Sequence, residues 1–179
     1  GSTPSLRTLC LDAGDGRVLW NTEVFTAAES REQTLHQKNS QASPTPILAG
    51  ERLYVHFGHH GTACLDRAGK ILWRNHSLRY DPLHGNGGSP ALAGDRLVFN
   101  SDGTKDPFVV ALEKATGEVA WKVPRGITVK SYFSFCTPLV IRVNGRTQII
   151  TPGSGAVWAL DPKDGREIWR VRYGEGYSV

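Results

Sequence analysis

Methionine is absent from the 179 residues, and no apolar run reaches the length that a membrane-spanning helix needs. The first absence, together with the start Gly1-Ser2, points to a piece of a longer chain rather than to a native beginning. The second argues against direct insertion into a bilayer, and no charged-then-apolar leader precedes the rest. Lys and Arg never cluster beyond two or three and the net charge is only +4, so nothing supports nucleic-acid binding. Helical patterning is missing too, since no segment holds an apolar period of 3.6 for three turns. Cysteine is scarce. Cys10, Cys64 and Cys136 have no metal-site spacing, and Cys10 and Cys64 read as small buried strand residues.

What the chain does have is repetition. Val157-Trp158-Ala159-Leu160-Asp161 leads through Gly165 to Trp169, and shorter versions run from Leu9 through Gly16 to Trp20, from Ala63 through Gly69 to Trp73, and from Val110 through Gly117 to Trp121. The Trp-to-Trp steps are 53, 48 and 48 residues, near the period of four-stranded propeller blades and too long for ankyrin or tetratricopeptide units. Alternating apolar residues, an acidic-to-Gly turn and a second run ending in Trp describe a β-hairpin. A large aromatic recurring in register is expected to wedge between neighbouring units, which assigns Trp20, Trp73, Trp121 and Trp169 a structural role, with Gly16, Gly69, Gly117 and Gly165 at the turns. The acidic residues Asp12, Asp66, Glu113 and Asp161 recur in every copy, which suits turn acceptors and not catalysts.

A second recurring segment precedes the hairpin. Residues 43–55 resemble residues 89–99, with a looser copy from Thr137 to Ile150; each reads as strand, tight turn, strand, with a proline near the start of the first. Four strands per unit follow, named A to D in order. The expected architecture is all-β: a partial β-propeller of about three and a half four-stranded antiparallel blades. Residues 6–25 form a half blade (strands C and D), residues 41–77, 87–123 and 134–173 form blades, and 174–179 begin an incomplete further one. An arc of this kind exposes apolar blade faces at both ends, so self-association through them is expected.

With the motif in hand the chain is similar to the quinoprotein-type (pyrroloquinoline-quinone-like) propellers, whose tryptophan-docking repeat places a small residue, Gly six positions on, and Trp four later. Ala111, Gly117, Trp121 and Ala159, Gly165, Trp169 fit this; Cys10, Gly16, Trp20 fits with Cys for Ala, and the Cys64 copy is one residue short. Within that group it looks most like the propeller lipoprotein of the outer-membrane barrel-assembly machinery, and segments such as His84-Gly85-Asn86-Gly87-Gly88 resemble its planctomycete-type relatives. The resemblance implies a ring of about seven or eight blades, of which this chain is roughly half, and a parent exported to the periplasm or cell envelope. Family dehydrogenases stack the quinone between a Trp and a disulfide of adjacent cysteines and hold Ca²⁺ with carboxylate and amide groups. Here the cysteines sit in three separate repeats, and the one tryptophan outside the motif, Trp158, lies in strand C.

Strand direction sorts the loops onto two faces. The D-to-A and B-to-C connections share one, which gathers His36, Lys38, Asn39, His56, His59, His60, His84, Asn86, Asn100, Asp102, Lys105, Lys130 and Ser154. Binding residues concentrate on loops held by a rigid scaffold, so His56, His59, His60, His84, Asn86, Asn100, Asp102 and Lys130 are the candidate binding face. His59 and His60, in a Gly-flanked turn, are expected to be solvated; no metal site and no catalytic residue is expected. The leading reading is a non-enzymatic scaffold or binding module for a protein or peptide partner, needing no cofactor. The alternative is a piece of a dehydrogenase dependent on pyrroloquinoline quinone (PQQ) and Ca²⁺, with carbohydrate binding third.

Overall fold

Three of the four acidic-to-Gly turns close a hairpin because their first carboxylate accepts from the backbone ahead of it. Asp12 Oδ1 takes the N–H of Gly14 at 2.8 Å, Asp66 Oδ1 those of Ala68 and Lys70, both at 2.9 Å, and Asp161 Oδ1 that of Lys163 at 3.0 Å. Glu113 instead pairs with Arg96 at 2.5 Å. The computed structural model describes residues 5–26, 28–29, 35–130, 132 and 134–174.

The chain is all-β. Strands β1 (Leu6–Leu11) and β2 (Val18–Phe25) form a two-stranded sheet. The first four-stranded sheet contains β3 (Ile47–Ala49), β4 (Arg52–His56), β5 (Thr62–Asp66) and β6 (Ile71–Asn75). The second contains β7 (Ala91–Ala93), β8 (Arg96–Ser101), β9 (Phe108–Glu113) and β10 (Val119–Pro124). The third contains β11 (Leu139–Val143), β12 (Arg146–Gly153), β13 (Ala156–Leu160) and β14 (Glu167–Arg172). All are antiparallel meanders in chain order. Residues 175–179, where a further strand A is expected to begin, lie outside the described residues.

The core is a stack of sheet-to-sheet layers. Tyr54, Cys64 and Trp73 of the first four-stranded sheet meet Leu97, Phe99, Phe108, Val110 and Leu112 of the second. Val98, Val109, Ala111 and Trp121 of the second then meet Ile149, Ala156, Trp158 and Leu160 of the third. Consecutive residues of β8 thus serve opposite neighbours, as period-two alternation requires of a sheet packed on both faces.

The motif tryptophans lock these layers. The indole N–H of Trp20 donates to the Arg67 carbonyl at 2.9 Å, that of Trp73 to Lys114 at 3.2 Å and that of Trp121 to Pro162 at 3.0 Å, in each case a carbonyl in the next unit's turn. Each ring also lies over the glycine of that turn: a Cβ on Gly165 would stand 2.7 Å from Trp121 Cε3. Its φ of +72° demands glycine as well. Trp169 departs from the expectation. Among the described residues it lies between no two units; it is 39% exposed, and its N–H turns to Gln148 Oε1 of its own sheet at 2.9 Å. Leu9, Leu11 and Leu19 are correspondingly exposed on the first hairpin, as is Val171 on the last strand.

A smaller repeat ties the strand-A starts together. Ser89 Oγ accepts the N–H of Thr45 at 2.8 Å, and Thr137 Oγ1 accepts the N–H of Ser89 at 3.0 Å. The Ser/Thr-Pro dipeptides at 45–46, 89–90 and 137–138 therefore link one unit to the next.

Candidate functional site

The loops gathered on one face fall into two groups with different fates. The B-to-C connections fold mainly inward, between sheets, with Lys105 and Asp106 left exposed. His56, at the end of β4, is 3% exposed; its Nδ1 bonds Thr62 Oγ1 at 2.8 Å, and its ring lies 4.2 Å from that of Phe99. His59 and His60 occupy a 3-10 turn, Gly58–His60, with rings 4.0 Å apart and Nε2 of His60 against Gln41 Oε1 at 2.8 Å. They are 6% and 1% exposed, so the expectation of solvated histidines is wrong. Gly58 and Gly61, at φ +61° and +146°, let the chain reverse tightly enough to tuck both rings under it. Burial and the neighbouring His59 push the His56 pKa down to about 3.

Asn100 and Asp102 are likewise interior. Asp102 takes a two-pronged bond from Arg125, at 2.8 Å from Nε and 2.7 Å from Nη2, and a short one from Ser134 Oγ. Arg125 Nη1 donates to Thr151 Oγ1 at 2.9 Å and Nη2 to the Pro152 carbonyl at 3.1 Å. Thr151 Oγ1 donates to Asn100 Oδ1 at 2.6 Å, and Asn100 Nδ2 to the Cys136 carbonyl at 2.9 Å. Every member serves another, so the network joins the second and third four-stranded sheets and offers nothing outward. Ser154 is buried beside it.

The D-to-A connections stay at the surface. Asn86 is half-buried and spends its amide locally, accepting from the Tyr80 hydroxyl and donating to the Gly88 carbonyl, both at 3.0 Å. Lys130 is exposed. His84 is the candidate that lines a recess, of about 480 Å³, together with His36, Lys38, Asn39, Ser43, Gly87 and Phe135. Three successive D-to-A connections meet there. The His84 and Phe135 rings lie near-parallel at 6.4 Å, and the His36 ring meets His84 edge-on at 5.2 Å. Asn39 Nδ2 donates to the His84 carbonyl at 2.8 Å, pinning the first connection to the second. Ser43 and Phe135 are not distinguished as site residues by the sequence, whereas Gly87 belongs to the glycine-rich segment 84–88. The signal for Ser43 and Phe135 is position alone, since each lies within three residues of a strand-A Ser/Thr-Pro pair or inside one.

A model of the family described as outer membrane protein assembly factor BamB matches residues 5–176. Among curated proteins, the quinoprotein ethanol dehydrogenase of Pseudomonas aeruginosa is 34% identical over 146 residues, covering 73% of this chain and 23% of that one. The 1-butanol dehydrogenase (quinone) of Thauera butanivorans is 32% identical over 125 residues, covering 62% and 19%. The chain thus spans about a fifth of the length of these relatives. Among solved structures, BamB from Moraxella catarrhalis aligns with a TM-score of 0.58 at 16% identity, covering 89% of this chain and 42% of that one. Quinohemoprotein alcohol dehydrogenase ADHIIG from Pseudomonas putida HK5 aligns with a TM-score of 0.67 at 14% identity, covering 98% and 32%. At such identities the structural likeness speaks for the fold.

The described residues do not fit a quinone with its cation. The buried carboxylate best shielded from water, Asp102, is spent on Arg125 and Ser134. The Trp158 ring, a flat surface for stacking, has the guanidinium of Arg125 at 4.6 Å and that of Arg170 at 5.2 Å. Cys10, Cys64 and Cys136 form no disulfide and sit in separate repeats.

Proposed function

The chain belongs to the family of the outer membrane protein assembly factor BamB, and from that premise we propose that it is a non-enzymatic propeller module that presents the loops of one face to a protein or peptide partner. The observation that carries this reading is the division between loops. The groups with chemistry to offer, His56, His60, Asn100 and Asp102, are consumed in holding sheets together. What the face leaves open is a recess lined by aromatic rings and one ammonium group, the kind of concavity that recognises ligands without transforming them. The proposal extends to a parent that works in the cell envelope, a reading supported by the family's description as an outer membrane protein assembly factor.

The second reading, a piece of a quinone-dependent dehydrogenase, is favoured by the curated relatives and opposed by the fit of the residues present. One pair of measurements separates the two. Linear peptides from a random displayed library are expected to be enriched on the immobilised chain and weakened by Lys38→Glu. Stoichiometric retention of PQQ absorbance after desalting in Ca²⁺, with no peptide enriched, overturns the binding-module reading.

A further inference from the structure

We propose that the recess between the D-to-A connections recognises a short extended peptide in which an apolar, preferably aromatic, side chain is followed by a carboxylate. The inference rests on the binding-module reading and names what that module takes.

The argument begins with the charge inventory. The chain segments that form the recess, residues 35–46, 84–90 and 134–138, contain no Asp or Glu, and their one fixed charge is Lys38. Among the described residues no carboxylate pairs with the Lys38 ammonium, whereas Arg67 is held by Glu51 and Lys114 by Asp95. A cation lining a cavity attracts an anion, and among the described lining residues no acid competes with that.

Polar competition inside the recess is also low. Asn39 Nδ2 is committed to the His84 carbonyl at 2.8 Å, and its Oδ1 accepts the Ser40 N–H at 2.8 Å and a short bond from the Ser43 hydroxyl. His36 Nδ1 accepts the Lys38 N–H at 3.2 Å, which holds the lysine backbone against the imidazole. The interior is left with ring surface, chiefly Phe135 and His84, and Gly87 makes room for it: a Cβ there would stand 3.0 Å from Phe135 Cδ1. A volume of about 480 Å³ accepts a whole aromatic side chain with adjoining backbone. Aromatic floor and single cation thus dictate an apolar group next to a negative one. A peptide supplies both at adjacent positions, one side chain directed inward and the next toward the rim, as the period-two geometry of an extended chain provides.

Isothermal titration of the 179-residue chain tests this with four probes: a blocked hexapeptide with a central Phe-Asp, the same peptide with Phe-Asn, the same with Ala-Asp, and 3-phenylpropionate. The Phe-Asp peptide is expected to bind most tightly, with a loss of about fivefold for Phe-Asn, the upper end for an exposed ion pair, and a larger loss for Ala-Asp. Lys38→Glu is expected to lower Phe-Asp affinity at least as much, Lys38→Arg to keep it, and Lys105→Gln, on the same face outside the recess, to leave it unchanged. Binding that ignores both Asp→Asn and Lys38→Glu overturns the carboxylate assignment while leaving the peptide-binding reading standing. Phenylpropionate binding as tightly as the peptide assigns the recess to a small acid and overturns the proposal. Failure of all four probes at millimolar concentration, with quinone retained, removes the binding-module reading itself.

Discussion

Truncation of Trp121 is the perturbation with the clearest consequence, because the chain carries its own control in Trp169. Trp121 is 8% exposed, sits between β10 and the third four-stranded sheet, and donates to the Pro162 carbonyl at 3.0 Å. A tryptophan presents on the order of 200 Å², which at about 25 cal/mol per Å² is roughly 5 kcal/mol for complete burial. Scaled by exposure, Trp121 contributes about 4.5 kcal/mol and Trp169, at 39% exposed, about 3 kcal/mol. Area figures are upper bounds, and only Trp121 would leave a cavity closed on both sides. Trp121→Ala is therefore expected to cost about 3 to 5 kcal/mol, and Trp169→Ala to cost less by about 1.5 kcal/mol or more. Urea unfolding followed by far-UV circular dichroism measures both without relying on indole fluorescence. Amide exchange adds the location: protection should fall at Ile149, Trp158 and Leu160, which face Trp121, and far less at Val55, which faces the first hairpin. A Trp121→Ala loss below about 1 kcal/mol, or one equal to that of Trp169→Ala, would refute the interlayer role.

Gly165 and Gly145 have φ of +72° and +78° but different surroundings: alanine at 165 meets the Trp121 ring and alanine at 145 meets nothing within 4 Å. Gly165→Ala is expected to cost about 1 to 3 kcal/mol more than Gly145→Ala, the range for overpacking, and equal losses in denaturant midpoints would contradict the docking geometry. Arg125→Met is expected to cost about 3 to 5 kcal/mol because it strands the Asp102 carboxylate, whereas Arg125→Met with Asp102→Leu should recover most of that loss; a double variant less stable than either single one counts against the account. His56, with its folded pKa pushed from 6.5 to about 3, is neutral in the fold. Its contribution is complete above the unfolded value and is lost as pH falls from about 6.5 towards 3. His56→Gln, which can still bond Thr62, is expected to flatten the fall in melting temperature over that window, and an unchanged slope would remove His56 as its cause.

Much of the fold could be read from residues alone because each repeat states its own geometry. The motif tryptophan needs a flat partner, the glycine six residues after the small residue supplies it, and the carboxylate ahead of that glycine closes the turn. The bounds of β1 and β2 follow from the same pattern. The histidines were harder. A Gly-flanked pair of imidazoles suggests a solvated loop, yet alternation along β4 already contained the correction. Tyr54 faces the second four-stranded sheet, so His56, two residues on, faces it too and meets Phe99. The same rule sends Asn100, two residues beyond Val98, toward the third sheet, where Thr151 waits two residues beyond Ile149. What no alternation rule contains is how far a B-to-C connection tucks inward, because that depends on neighbouring sheets that a single repeat does not show.

Comparison of equivalent positions then explains why the recess lies where it does. Arg52, Arg96 and Arg146 open strand B in the three full units, and counting from them His56 matches Asn100 while Tyr54 matches Val98 and Gln148. These positions vary in chemistry, but where another sheet follows each variation is answered across the interface, His56 by Phe99 and Asn100 by Thr151, while Gln148 is answered within its own sheet by Trp169. Side chains held on both sides by sheets can change only in concert with a neighbour. The D-to-A connections are under no such constraint. They share only the Ser/Thr-Pro link at the start of strand A, and upstream of it they differ in length, glycine content and charge. His36 and Lys38, His84 and Gly87, and Phe135 come from three connections with no residue in common at matching positions. A repeat scaffold can diversify its binding surface most freely where its interlayer bonds end, and in this chain that boundary is the rim of the recess.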